Sequence, residues 1–136
     1  GDGFMAVFQE GAAETHARRA AETALGLLAV TEALNQRAPH RPLGIHMGIN
    51  SGSAWVGSTR FEGSRDTRWT FTASGPVTNL AARLAEVARD GEILVGSETA
   101  RRLGDGYRIE KVTRGRLKNI SDDVEHYRIV GPADPR

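Results

Sequence analysis

The stretch SGPVTNLAARLAE, residues 74–86, has the most regular pattern in the chain. Its apolar side chains recur at three- and four-residue steps and continue just beyond it: Val77, Leu80, Ala81, Leu84, Val87 and Ala88. That spacing predicts an amphipathic helix with one buried stripe. Asn79 and Arg83 fall on the opposite side, one helical turn apart, so both side chains reach the same patch of surface. Spacing alone does not decide whether this patch is a site or a solvated face.

The residues before this helix predict its first turn and the strands that lead to it. Ser74 is a suitable N-cap, and Pro76 fits the first turn, where a missing N–H costs nothing. WTFTA, residues 69–73, predicts a strand, whereas the highly charged residues 58–68 predict an exposed arm or loop. LGIHMGINSGSAWVG, residues 43–57, alternates apolar and other residues and predicts a hairpin that turns at Ser51-Gly52.

Further outward, the pattern predicts the remaining elements. FMAVF, residues 4–8, predicts a short buried strand, and residues 13–38 predict a long helix that Pro39 ends. On the other side, the sequence predicts a strand over residues 93–95, a helix over 97–103 capped by Ser97, and strands near 107–112 and 125–130.

These elements predict an α+β fold within a single domain, residues 1–136. Several strand pairs are joined by hairpins, so the sheet should be mixed and mostly antiparallel, with the helices on one face. The expected architecture is a ferredoxin-like sandwich.

Composition excludes several classes of protein. The chain has 39% hydrophobic and 26% charged residues, a balance typical of globular domains. Its 18 basic and 17 acidic side chains leave a net charge of +1, so no strongly basic field indicates a nucleic-acid partner. No apolar run is long enough to cross a membrane, so no membrane contact by this segment is expected. Because cysteine is absent, there is no disulfide framework or thiolate zinc site, which fits a cytoplasmic protein.

Several segments, taken in their order, resemble a known family. They are GDGFMAVF (1–8), LGIHMGINSGSAWVG (43–57), FTASGPVTNLAARLAE (71–86), LKN (117–119) and HYRIV (126–130). Together they resemble the catalytic domain of class III adenylate and guanylate cyclases. The resemblance implies conversion of ATP or GTP to the cyclic 3',5'-nucleotide and pyrophosphate. It also implies two divalent ions, Mg²⁺ or Mn²⁺, at a homodimer interface.

The resemblance assigns roles to five residues of this sequence. Asp2 matches a metal-binding aspartate, and Asn79 and Arg83 match the pair that orients the ribose and stabilises charge on the phosphate. Lys118 matches a phosphate-binding lysine. Thr72 occupies the position at which the family recognises the purine, and because its hydroxyl can both donate and accept, it does not decide between ATP and GTP.

Each assignment has a simpler structural alternative. Asp2 could be an ordinary turn residue, Lys118 a surface lysine and Thr72 a routine strand threonine. Arg83 could pair with Glu86 on a solvated helix face. His46 is expected to be packed or hydrogen-bonded rather than catalytic.

The sequence also departs from the family pattern. Pro76 and Asn119 differ from the residues usual in the family, and a second metal-binding aspartate, with its strand and following helices, is expected to lie before Gly1. We therefore predict an N-terminally truncated domain that is itself inactive, in a parent protein with regulatory domains elsewhere.

Two other functions remain open at this stage. One is a catalytically degenerate cyclase-like module that dimerises and regulates. An RNA-binding ferredoxin-like domain is the weaker alternative, because no basic face or cluster of exposed aromatic residues is evident. Trp55 and Trp69 are expected to be core or dimer-contact aromatics, and the charged arm at residues 60–68 either reaches a second subunit or is solvated.

Overall fold

The computed structural model describes residues 3–112 and 124–134, without the side chains of Thr59, Phe61 and residues 68–71. The helices are α1 (Ala13–Arg37), α2 (Pro76–Val87) and α3 (Ser97–Leu103). The strands are β1 (Met47–Ile49), β2 (Trp55–Glu62), β3 (Thr67–Ser74), β4 (Ile93–Gly96), β5 (Tyr107–Lys111) and β6 (His126–Pro132). A single 3₁₀ turn, Gly104–Gly106, joins α3 to β5.

Four of the strands form one sheet in the order β1-β4-β6-β5. β1 and β4 are parallel, whereas β4 with β6 and β5 with β6 are antiparallel. Among the described residues, β2 and β3 pair with each other and with no other strand, in a separate antiparallel ribbon. The predicted α+β class with a mixed, mostly antiparallel sheet is therefore confirmed.

The helices cover both faces of the sheet, so the expectation that they share one face is wrong. Ile93 and Val95 of β4 pack in one fully buried cluster with the alanine stripe of α1, Ala17, Ala21 and Ala24. Leu94, between them, packs in a second cluster with Leu84 and Ala88. Successive side chains of a strand point to opposite faces, so a strand with three apolar residues in a row needs a cover on each side. β4 is that strand, with α1 on one side and α2 on the other.

The predicted hairpin between residues 45–49 and 54–56 is wrong. β1 pairs with β4, and the hairpin is β2–β3, which pairs from Trp55 with Ser74 to Glu62 with Thr67. Residues 58–68, predicted to be an exposed arm or loop, form the turn end of this ribbon, closed by a bond from Gly63 N to Asp66 O of 2.8 Å. The charges at these positions do not oppose strand formation, because a two-stranded ribbon can solvate side chains on its faces. Trp55 is 83% exposed and does not belong to the core, while the side chain of Trp69 lies outside the description.

Residues 4–8 do not form the predicted buried strand. Residues 3–9 have no regular secondary structure, and Phe4 and Met5 are 81% and 51% exposed. A strand requires a neighbour for its backbone groups. β1 is an edge of its sheet, and no strand among the described residues pairs with segment 3–9.

Both predicted serine caps are wrong, although Pro76 does begin its helix. The N-cap positions are Gly75 and Gly96, and neither α2 nor α3 has a side-chain cap bond. Gly75 has a φ of +122°, a conformation that side-chain-bearing residues rarely adopt. Glycine therefore sets the angle at which the chain passes from β3 into α2.

Gly26→Ala is expected to stabilise the fold by about 0.5–1 kcal/mol, because alanine is the better helix former and restricts the unfolded chain. Gly26 lies within α1, and a Cβ there would meet no described atom within 4 Å beyond the adjacent backbone of its own helix and its chain neighbours. Urea unfolding followed by circular dichroism measures the change. Gly91→Ala is the control with equally open space but a φ of +84°, so it should destabilise; equal effects of the two substitutions would contradict the prediction.

Candidate active site

Helix α2 turns one side to the sheet and presents the other outward, as the sequence pattern predicts. Leu84 is fully buried against Leu94. Asn79 is exposed, and the side chain of Arg83 is 36% exposed to solvent. Asn79 and Arg83 lie one turn apart on the outward side. The structure therefore brings these two candidate residues onto one surface.

The guanidinium of Arg83 is engaged with Glu86 in this structure. Its Nη1 donates to both carboxylate oxygens, at 3.0 and 3.3 Å. This is the helix-face pair that the sequence allows as the simpler alternative for Arg83. Exposed pairs of this kind contribute only about 0–1 kcal/mol. The contact is therefore weak enough for a bound phosphate to replace Glu86 as the partner of Arg83.

Thr72 lies on the strand that leads directly into α2. It is half-buried on β3, where its backbone pairs with Gly57 of β2. β3 ends at Ser74, and Asn79 N donates to Gly75 O at 3.0 Å in the first turn of the helix. Thr72 and Asn79 thus lie on a strand and a helix that are connected by a single residue, Gly75.

Strand β1 holds the inner side of α2 through three alternate residues. His46 Nδ1, just before the strand, donates to Ala85 O at 2.5 Å, and Asn50 Nδ2, just after it, donates to Val77 O at 3.1 Å. Between them, Gly48 lies so close to α2 that an added Cβ would overlap the helix backbone. The expectation that His46 is hydrogen-bonded is confirmed. The part played by Asn50 was missed, although its place on the same strand side as His46 and Gly48 was a signal.

Asp2 and Lys118, the expected metal and phosphate ligands, lie outside the described residues. The chain on either side of segment 113–123 is held together: Lys111 Nζ lies 2.9 Å from Glu125 Oε1, and Tyr127 donates to Glu125 Oε2 at 2.9 Å. These hydrogen bonds from Lys111 and Tyr127 hold the pKa of the Glu125 carboxyl below its usual range. Lys111 and Glu125, the nearest contacting residues before and after the segment that contains Lys118, are thus paired with each other.

The described residues do not by themselves form a metal site. Within residues 3–112 and 124–134, no group of three or more His, Cys, Asp or Glu side chains could hold an ion. The ordinary hard-cation site uses several oxygen ligands. The described part therefore does not fit a resident Mg²⁺ or Mn²⁺ on its own. In the same ranges, no helix has both the length and the apolar composition needed to cross a membrane.

Comparisons with known proteins agree on one family. Residues 1–131 match the family described as the adenylate and guanylate cyclase catalytic domain. No curated protein sequence matches the chain. Among solved structures, the adenylyl cyclase CyaB from P. aeruginosa is 29% identical with a TM-score of 0.77, covering 94% of this chain and 64% of that chain.

Two further structures show the same fold at lower identity. The guanylate cyclase domain of RhGC from Catenaria anguillulae, solved with GTP, is 19% identical with a TM-score of 0.68, over 86% of this chain and 60% of that one. A non-canonical dimeric guanylyl cyclase domain of the RhoGC fusion protein from the aquatic fungus Blastocladiella emersonii is 18% identical with a TM-score of 0.66, again over 86% of this chain and 60% of that one. The chain spans less than two thirds of the length of these solved chains.

The family match covers nearly the whole chain, and the fold agrees with it. The chain belongs to the adenylate and guanylate cyclase catalytic domain family.

Proposed function

We propose that this chain is part of a class III nucleotidyl cyclase that converts ATP or GTP to the cyclic 3',5'-nucleotide and pyrophosphate. The observation that carries the proposal is the outward side of α2, where Asn79 and Arg83 lie together in a chain of this family. Residues 1–136 are proposed to be one partial catalytic domain that is inactive alone, with regulatory domains elsewhere in the gene product.

The reaction requires charge stabilisation more than covalent chemistry by the protein. The ribose 3'-oxygen forms a bond to the α-phosphorus, the bond from that phosphorus to the bridging oxygen breaks, and pyrophosphate leaves. The 3'-hydroxyl proton passes to solvent. A planar, permanently charged guanidinium such as that of Arg83 can bind the phosphate oxygens as charge develops on them. The Asn79 amide can orient the ribose by donating and accepting hydrogen bonds.

The other candidate residues complete the proposed site. Thr72 would contact the purine, and because its hydroxyl both donates and accepts, the proposal includes ATP and GTP as substrates. Lys118 would bind the phosphates, and Asp2 would contribute one ligand to Mg²⁺ or Mn²⁺. Such ions lower the pKa of an attacking hydroxyl and neutralise phosphate charge. The described residues lack the remaining ligands, so the metal site requires residues beyond them.

The proposed active unit is a homodimer in the cytoplasm. The RhGC domain that shares this fold was solved with GTP, which supports a nucleotide substrate here. The RhoGC domain is a non-canonical dimer, so it supports a second subunit but no particular interface. In the homodimer that the family resemblance implies, Asp2 of one subunit and Asn79 and Arg83 of the other would contribute to one site. Dimerisation and activity would then be coupled.

A catalytically degenerate regulatory module is the second candidate. The observation that favours it is the Arg83–Glu86 ion pair, since a guanidinium engaged on its own helix needs no nucleotide to explain it. Such a module would dimerise and could bind nucleotide without turnover.

A direct assay separates the two candidates. The full-length gene product is incubated with ATP or GTP and Mn²⁺, its dimeric state is checked by light scattering, and cyclic nucleotide is measured. The cyclase proposal expects product from at least one nucleotide, with residues 1–136 alone as the inactive control. A dimeric protein that yields no product from either nucleotide would leave only the regulatory module.

A further inference from the structure

The two hydrogen bonds between the β1 segment and α2 are spaced equally along the strand and along the helix. His46 and Asn50 are four positions apart in the sequence, which corresponds to about 13 Å along an extended chain. Their partners, Val77 and Ala85, are eight positions apart, which corresponds to about 12 Å along a helix. The two elements therefore run side by side in opposite directions, with a hydrogen bond at each end of the contact.

The middle of this contact is as specific as its ends. A Cβ at Gly48 would overlap the Ala81 carbonyl oxygen and the Ala85 nitrogen and would lie 2.9 Å from Leu84 Cβ. No other residue type allows the helix axis to come this close to the strand. The strand thus limits how near α2 can lie, while the two hydrogen bonds limit how far it can slide or rotate.

The Asn50 side chain is itself fixed by its surroundings. A Cβ at Gly96 would overlap Asn50 Oδ1, so the amide lies directly over that glycine. With its oxygen against Gly96, the amide directs its nitrogen to Val77 O. The next residue is fixed as well, because Ser51 Oγ lies 2.8 Å from the hydroxyl of the fully buried Thr99. Asn50 therefore connects α2 to the β4–α3 junction.

We propose that Asn50 and His46 are positioning residues for the outward side of α2. At 100° per residue, Asn79 and Arg83 lie roughly opposite Val77, Ala81 and Ala85 around the helix. A slide or rotation permitted by loss of either bond moves both candidate side chains relative to any bound nucleotide. His46 must hold its proton on Nδ1, because the Ala85 carbonyl can only accept. This inference rests on the proposed cyclase activity for its catalytic consequence, but not for the anchoring itself.

The test uses the full-length gene product and Asn50→Asp, which keeps the size of the side chain and removes its donor. A displacement of about 1 Å in an active site can lower turnover by about 100-fold, so we expect kcat to fall at least about 10-fold while KM changes little. Gly96→Ala should produce the same change by displacing the Asn50 amide. His46→Ala should lower kcat, and His46→Asn, which restores a donor, should recover it.

Asn35→Asp is the matched control. The Asn35 amide also binds the backbone, donating to Leu43 O at 2.8 Å and accepting from Leu43 N at 2.7 Å, but it lies between α1 and the segment before β1. Its loss should leave kcat unchanged. Hydrogen exchange of the peptide covering residues 76–87 supplies a readout without activity, and Asn50→Asp should speed exchange there more than Asn35→Asp does.

The two readouts separate the possible failures. Faster exchange in α2 together with lower kcat supports the inference. Unchanged exchange, or faster exchange with kcat equal to that of Asn35→Asp, overturns the positioning role. If the wild-type protein forms no cyclic nucleotide, the proposed function fails, and the exchange measurement still decides whether Asn50 and His46 hold the helix.

Discussion

Arg83→Ala in the full-length gene product is expected to lower kcat for cyclic nucleotide formation by about 100- to 1,000-fold, the usual effect of removing one preorganised donor to developing charge. KM should change much less, because the guanidinium contact strengthens as charge builds on the phosphate in the transition state. Steady-state assays with ATP and GTP, corrected for the fraction of dimer, give both constants.

The chain offers a well-matched control in Arg101→Ala. Arg101 also pairs with a glutamate three residues away on a helix, with Nη2 at 2.6 Å from Glu98 Oε1. Both substitutions remove an arginine whose side chain is at least one third exposed, together with its ion pair, and solvent-exposed pairs of this kind contribute little to stability. Equal kcat values for the two variants would contradict a role for Arg83 in turnover. Glu86→Gln releases Arg83 from its present partner and should not reproduce the loss.

Gly48→Ala is expected to destabilise the folded protein by about 3 kcal/mol, near the upper end for overpacking a well-packed interior. The atoms that a Cβ would meet are backbone atoms of α2 and the Cβ of a buried leucine, none of which can move aside as a flexible side chain would. The helix must therefore shift away from β1, and the cluster around Leu84 loses contact with Leu94. Urea unfolding of the full-length gene product measures the change.

Gly57→Ala is the control for this substitution. Gly57 is also a strand glycine, on β2, but a Cβ there would meet no described atom within 4 Å beyond its chain neighbours. Surface changes without a specific contact usually alter stability by less than about 0.5 kcal/mol. A Gly48→Ala protein that unfolds at the same urea concentration as Gly57→Ala would show that the close approach does not limit the fold.

Periodic burial made much of the architecture predictable. The helices α1 and α2 and the strand β4 lie within a few residues of their predicted ranges, since each has an apolar side that must be covered. Strand partners were less predictable, because β1 and β2 are adjacent in sequence yet join different sheets. The chain leaves the β1 direction at Asn50 and Ser51, whose side chains bond to α2 and α3. Such non-local hydrogen bonds have no period in the sequence.

The candidate site shows the same division between local and distant information. Helical spacing is a local property of the sequence. It therefore predicted that Asn79 and Arg83 lie on the same side of the helix, and that Arg83 could pair with Glu86. The anchoring by His46 and Asn50 depends on how a distant strand approaches the helix. Asp2 and Lys118 keep the status of predictions, because they lie outside the described residues.

The parallel pairing of β1 with β4 also constrains the order of folding. Met47 pairs with Ile93, so the β2–β3 ribbon and all of α2 lie inside the chain loop that this pairing closes. Closing a loop of that length costs about 3 kcal/mol of chain entropy before any contact across it is gained, and such non-local pairings slow folding. Until the loop closes, α2 has no complete surface to pack against. Before β1 pairs with β4, the chain therefore lacks the strand surface that orients the outward side of α2, so the function of Asn79 and Arg83 depends on that pairing.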